Sequence, residues 1–358
     1  MNKMNNPVHL VGSIPGDTVE GVFQMCSSAI GNIASALPDG ELESRNTWVN
    51  FLAWNVYQHH PDMETLSRPQ IIPGKADWIP AGYEDVWLFK IKEGRNAIHY
   101  EKLGYADHAK SSYQKFVELK EQGVIPPQLR FQVCLPATES SFRWFWPEPG
   151  DFQILWDAYH DAIAREIEQI TAAIPAESLL IQWDVCMEVL AVEAGDSIGH
   201  PPMAWKGPGD VFDRYVQDIS YLGGLIPKDV PMGIHLCYGD LGHQHLIQPS
   251  NLAVCVQMAN AAVANLERSV DYFHMPVPRD RKDDEYFAPL KDLNIGNAKV
   301  FIGLIHHTDG IEGSLARLET AKRHISNFGI STECGFGRRP VEQIPELLHI
   351  HQEVAKAI

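Results

Sequence analysis

The sequence predicts an α/β fold, a (β/α)8 TIM barrel read as a single domain over residues 1–358, with insertions after strands two and six. Three observations carry that expectation. Apolar runs of strand length recur along the chain, and nearly all are followed by helix-length amphipathic segments. The 358 residues accommodate eight such units with length left for excursions. Polar, chemistry-bearing residues gather at the C-terminal ends of the runs, where barrels of this class keep their reactive groups.

The first run, Val8 to Val11, stops at Gly12-Ser13-Ile14-Pro15-Gly16, a turn built from strand-breaking residues. Asp17 or Thr18 then caps a helix reaching about Gly31. A second, weaker strand over 33–37 ends in Pro38-Asp39-Gly40-Glu41, and an aromatic-rich helix over about 44–60 follows. Residues 61–107 lose the rhythm and read as an insertion or lid, with a hairpin pairing 85–91 with 97–102 around Glu93-Gly94-Arg95-Asn96.

Regularity returns with a helix over 109–122 and a strand over 130–136. A polar and aromatic loop, 138–149, leads to a long helix over 149–173 and the strand 179–185. Helix 208–222 precedes strand 231–237, and helix 251–267 precedes strand 270–274. A second insertion, 275–297, leads to strand 299–306, helix 312–326, strand 329–335 and a closing helix over 341–357.

Composition excludes several functions. The chain carries 29 basic against 46 acidic residues, a net charge of −17, which disfavours nucleic acid and anionic membrane surfaces. No apolar run approaches the roughly 18 residues of a membrane span. The first thirteen residues lack a leader's apolar core and cleavage site, so a cytoplasmic location is expected. The six cysteines are scattered, with no CxxC pair, and read as free thiols with one or two functional members rather than a disulfide framework.

Among those thiols, Cys237 stands out. In an extended strand, positions two apart share a face, so His235 and Cys237 can grip one ion between them. Cys334 and His274 lie at the ends of two later strands, giving two nitrogen and two sulfur donors, a set that suits tetrahedral zinc. Taken singly, each is an ordinary core residue; their shared position at strand ends is what points to a metal. Cys26 and Cys255 fall on helices and read as packing, and Cys186 as an outer partner at most.

These motifs resemble a family. Val11-Gly12-Ser13, Asp39-Gly40-Glu41 with Arg45-Asn46, Ile181-Gln182-Trp183-Asp184, His235-Leu236-Cys237-Tyr238, Ile305-His306 and Glu333-Cys334-Gly335 are similar, in that order, to the catalytic C-terminal barrel of cobalamin-independent methionine synthase. That barrel belongs to a wider grouping that includes uroporphyrinogen decarboxylase. The resemblance implies that His235, Cys237 and Cys334 bind Zn2+ and that Ser13 meets the carboxylate of an amino-acid thiol. It implies further that Glu41 and Asp184 meet the ammonium and that His306 serves in proton transfer. The family's usual fourth ligand is a glutamate at the end of strand six, a place filled here most simply by His274.

The function expected on this basis is a zinc-dependent methyl or alkyl transferase acting on a thiol, most like methyl transfer to homocysteine, with folate or another molecule as methyl donor. Catalytic roles fall to His306, Asp184 and Glu41, and substrate contacts to Ser13, Glu41, Asp184, Trp144 and Trp146. The tryptophans are chosen because an aromatic loop can stack on a planar donor. Two other readings use the same residues: a zinc hydrolase or C–S lyase with water at the metal, and a zinc-stabilised binding protein without turnover. The expected partners are small molecules, and homo-oligomerisation is left open.

Overall fold

The computed structural model describes residues 6–82, 84–198, 205–241 and 244–358. The first five residues, on which the leader reading partly rests, lie outside them. In chain order the strands are β1 (Ala36–Pro38), β2 (Met63–Ser67), β3 (Leu88–Ile91), β4 (Arg130–Pro136), β5 (Leu179–Val185), β6 (Met232–Leu236), β7 (Tyr272–Pro276), β8 (Lys299–Ile305) and β9 (Phe328–Thr332). The helices are α1 (Val19–Ile30), α2 (Asn50–Asn55), α3 (Tyr105–Glu121), α4 (Thr138–Phe142), α5 (Phe152–Ala173), α6 (Met187–Ala194), α7 (Val211–Gly224), α8 (Ala253–Asn265), α9 (Asp284–Phe287), α10 (Gly310–Ala321) and α11 (Ile344–Ala355).

Seven strands form one parallel sheet in the order β1-β4-β5-β6-β7-β8-β9. The sheet is curled, because its two outer edges reach the same residue: Val8 makes parallel bridges to Ala34 and to Ile330. The amide of Val8 donates to Ile33 O at 3.0 Å, and the amide of Ile330 donates to Pro7 O at 2.7 Å. The first expected strand is thus reduced to this bridge, because the Gly12 to Gly16 turn ends its extended run early.

Alternation along the strands sorts side chains to two sides. On β5, Leu180 joins Ala36, Tyr272 and Phe301 in a small apolar cluster inside the curl, whereas Ile181, Trp183 and Val185 belong to the large core beneath the helices. One step further along, the inside turns polar: Gln182 accepts from Tyr272 Oη at 2.7 Å and meets His9 Nε2 at 2.9 Å. Gly233 completes this packing, since a Cβ there would lie 2.0 Å from the Tyr272 ring.

Several local expectations are corrected. The antiparallel hairpin is β2 with β3, Met63 facing Ile91; residues 97–102 form no strand. The aromatic helix over 44–60 is broken into 3-10 turns around the short α2. The stretch read as a loop from Thr138 begins with α4, all of it buried. There Arg143 and Arg214 sandwich Glu139 at 2.6 and 2.9 Å, and Asp196 lies 3.1 and 2.7 Å from the same two arginines. Of the two candidates at the start of α1, Thr18 is the cap, accepting from Gly21 N at 3.0 Å. No helix among the described residues is long and apolar enough to cross a membrane.

Candidate active site

β6 and β9, separated in the sheet by β7 and β8, end at the same rim of its interior, and each delivers sulfur there. Cys237 directly follows β6 and is held by its amide to Val185 O at 2.9 Å. Cys334 follows β9 by two residues, its carbonyl accepting from Thr332 Oγ1 at 2.6 Å. The two Sγ atoms are 3.9 Å apart, and Nε2 of His235 is 3.8 Å from Cys334 Sγ. Donor atoms of His235, Cys237 and Cys334 all lie within 4.8 Å of one another.

Electrostatics at this corner favour neutral imidazole and protonated thiols until a cation arrives. Burial, helped by the rings of His274 and His9, pushes His235 well below the ordinary imidazole range, leaving a nitrogen lone pair free to bind. The hydrogen bond with Cys186 pushes the Cys237 thiol up, the one with Cys237 does the same for Cys334, and burial adds to both. A metal reverses this, because a coordinated thiol loses its proton.

His274 is not brought into the cluster. Its Nδ1 faces Nδ1 of His235 at 2.7 Å and its Nε2 faces Thr332 O at 2.9 Å, so neither nitrogen is turned toward the sulfurs. It was expected to end its strand, but β7 runs on through Pro276, and the His274 ring stands behind His235 instead of beside it. Cys186, by contrast, is closer than expected: it lines the cavity and touches Cys237.

The same cavity holds a carboxyl corner. Glu41, Cys134 and Asp184 also bring donor atoms within 4.8 Å of one another. Gly40 and Glu41 both take positive φ, 85° and 50°, so the chain doubles back and aims Glu41 inward. Asp39 secures that turn, accepting from Glu41 N at 2.9 Å, Arg45 Nη2 at 2.9 Å and Ser112 Oγ at 2.6 Å. Against the upward push of burial, Arg45 holds the Asp39 carboxyl below its usual range. Burial and the nearby Asp184 instead push Glu41 up to about 8, and burial raises Asp184 to about 7, although Gln182 Nε2 donates to Asp184 at 2.7 Å. Two such carboxyls are poised to release protons to solvent when a cationic ligand binds.

One cavity joins the corners, lined by Ser13, Glu41 and Asp184 together with His235, Cys237 and Cys334. Ser13 is fixed against the loop after β9: its carbonyl accepts from Phe336 N at 2.5 Å and its Oγ accepts from Gly337 N at 3.3 Å. Trp144 forms part of the wall, together with Trp48 and with Pro80 and Val86 of the 61–107 insertion. Trp146 does not; it is buried against Tyr57 and Phe89. His306 also lies off the cavity, its Nε2 on Val277 O at 2.8 Å and its Nδ1 3.5 Å from Glu333 Oε1.

Sequence reasoning missed four residues around the sulfurs, Glu333, His245, Arg338 and Asp240. Glu333, on the far side from His306, reaches His245 at 3.5 Å. Arg338 is largely enclosed; its Nη2 lies 2.7 Å from Asp240 and 3.9 Å from Cys334 Sγ. The signal for Asp240 and His245 was their position in the loop just after His235-Leu236-Cys237.

No family model and no curated protein matches the chain. Solved structures do. A B12-independent methionine synthase from Shewanella sp. W3-18-1, in complex with selenomethionine, shares the fold with a TM-score of 0.61 at 13% identity, covering 99% of this chain and 97% of that one. A putative vitamin-B12 independent methionine synthase from Listeria monocytogenes gives a TM-score of 0.56 at 15% identity, covering 95% of this chain and 87% of that one. These neighbours carry the name of the family that the strand-end motifs resemble. At such identities the likeness is one of fold.

Proposed function

We propose that this chain is a zinc-dependent methyltransferase acting on a thiol, most like methyl transfer to homocysteine, and that residues 1–358 work as one closed (β/α)8 catalytic unit. The observation that carries the reading is the pairing, in a single cavity, of a nitrogen-and-two-sulfur corner with a buried carboxyl pair. A thiol amino acid presents the matching poles: sulfur at one end, ammonium at the other.

The donor set fits zinc. With Zn–S near 2.3 Å and Zn–N near 2.0 Å, a tetrahedral ion needs S–S and S–N edges of about 3.8 and about 3.5 Å. The edges here are 3.9 and 3.8 Å. Three protein donors with the fourth position open is the pattern of catalytic zinc, whereas structural zinc is closed by four. Bound there, zinc would lower a substrate thiol's pKa and keep it nucleophilic at neutral pH.

The remaining work belongs to the chain. Glu41 and Asp184 give up their protons to receive the ammonium, and Ser13 with the loop after β9 frames the carboxylate. Trp144 and the insertion residues wall off water and hold the methyl donor in line with the sulfur. His306, turned toward Glu333, is assigned no contact with either substrate. Selenomethionine in the Shewanella structure is an analogue of a methylated thiol amino acid, which supports this reading of the cavity.

The test is metal analysis combined with a cobalt-substituted protein. A stoichiometric metal and a shift in the cobalt absorption on adding homocysteine are expected. A spectrum indifferent to homocysteine would overturn the substrate, and a protein that binds no metal would overturn the mechanism.

A further inference from the structure

His274 stands behind His235, and its own hydrogen bonds decide which nitrogen His235 offers. Nε2 of His274 lies 2.9 Å from the backbone carbonyl of Thr332. A carbonyl only accepts, so that nitrogen carries hydrogen. The ring is fully buried and its hydrogen-bond partners are a carbonyl and another imidazole, with no carboxylate to balance a charge, so it is neutral and its Nδ1 is bare. This bare nitrogen sits 2.7 Å from Nδ1 of His235. Two lone pairs at that distance repel, so Nδ1 of His235 must supply the hydrogen between them. A neutral imidazole has one N–H, which leaves Nε2 of His235 as the lone-pair nitrogen, 3.8 Å from Cys334 Sγ.

We propose that His274 is a positioning residue: by accepting from Nδ1–H of His235 while donating to Thr332 O, it fixes the ring and tautomer in which His235 presents a bare Nε2 beside the two sulfurs. The same side chain bridges three strands, reaching from β7 to His235 on β6 and to Thr332 at the end of β9, two residues before Cys334. It therefore also sets the spacing of the two strands that bear the donors. Metal-binding histidines commonly rest on a carboxylate or carbonyl behind them. Here a second imidazole takes that place, relaying the constraint from a backbone carbonyl. The purpose of the lock rests on the zinc reading; the hydrogen-bond pattern does not.

Two measurements separate the claims. Imidazole 15N–1H correlation spectra of the metal-free wild-type protein, with His235 assigned by its loss in His235→Gln, are expected to show hydrogen on Nδ1 and a bare Nε2. Hydrogen on Nε2 would overturn the lock whatever the metal does. Chelator competition then reads zinc affinity: His274→Leu should weaken it about 10- to 100-fold. His274→Asn, which keeps an acceptor for His235, should recover most of the loss. Equal affinity in wild type and both variants would overturn the positioning role while leaving the zinc site standing. A wild type that binds no zinc, yet shows the stated tautomer, would sink the zinc reading alone.

Discussion

The sulfurs of Cys237 and Cys334 are separated by 97 positions in sequence and by 3.9 Å in space. The curl of the sheet, which carries β6 and β9 with β7 and β8 between them, brings them together, and neither thiol has the environment of a thiolate on its own. Replacing either by serine should therefore reduce bound zinc from stoichiometric to trace, as read by metal analysis of the purified variants. Stripping zinc from the wild type should lower its melting temperature, since a ligand held only by the folded state stabilises that state. Zinc retained by both variants would remove the two sulfurs from the site.

The carboxyl corner predicts a pH dependence of stability. Glu41 and Asp184 titrate at about 8 and about 7 in the folded chain, against ordinary values near 4. The native state thus holds their protons more tightly, so this contribution is complete below about pH 4 and is lost as pH rises through about 7 and 8. Melting temperatures should fall from about pH 5.5 to about pH 8.5, and Asp184→Asn should flatten the fall. That substitution removes one of the two groups and also the charge that helps to raise Glu41. A thiol amino acid should oppose the fall by supplying an ammonium partner. A wild type whose melting temperature rises over this window would contradict the assignment.

Gly335 is required by contact. A Cβ there would stand 2.6 Å from Ser13 Oγ and 3.0 Å from Ser13 N. Gly335→Ala should displace Ser13, weakening amino-acid binding at least tenfold in calorimetry while leaving zinc content intact, because Cys334 precedes the clash. An unchanged dissociation constant would separate Ser13 from the ligand.

Arg143 is wholly buried between Glu139 and Asp196, with its Nη2 also donating to Trp205 O at 3.0 Å. Arg143→Ala leaves Glu139 with only Arg214 and should cost about 3 to 5 kcal/mol in denaturant unfolding. Arg143→Met with Glu139→Gln should recover part of it. A loss below about 1 kcal/mol, the scale of exposed pairs, would show that solvent reaches the cluster.

Much of this was legible in the chain. β4, β5 and β8 match their expected spans within one residue, because buried parallel strands read as apolar runs between breakers. The site residues at strand ends followed from the same boundaries. What was not legible was direction. A strand position says which face His274 occupies but not that its nitrogens meet Thr332 and His235, and Trp144 and Trp146 share one motif while only Trp144 reaches the cavity. The burial of Arg338 was not legible because its partner, Asp240, lies 98 positions away. Residues 97–102 looked strand-like, yet β3 found its partner upstream in β2.

Because Val8 bridges both edges, Ser13 and Cys334 enter the same cavity from opposite ends of the polypeptide. A nascent chain therefore cannot assemble the complete cavity until its last strand has left the ribosome, and every earlier intermediate exposes an unsealed seam. Chains halted before β9 should retain helices by circular dichroism yet fail to capture zinc. Capture should switch on abruptly once Cys334 emerges.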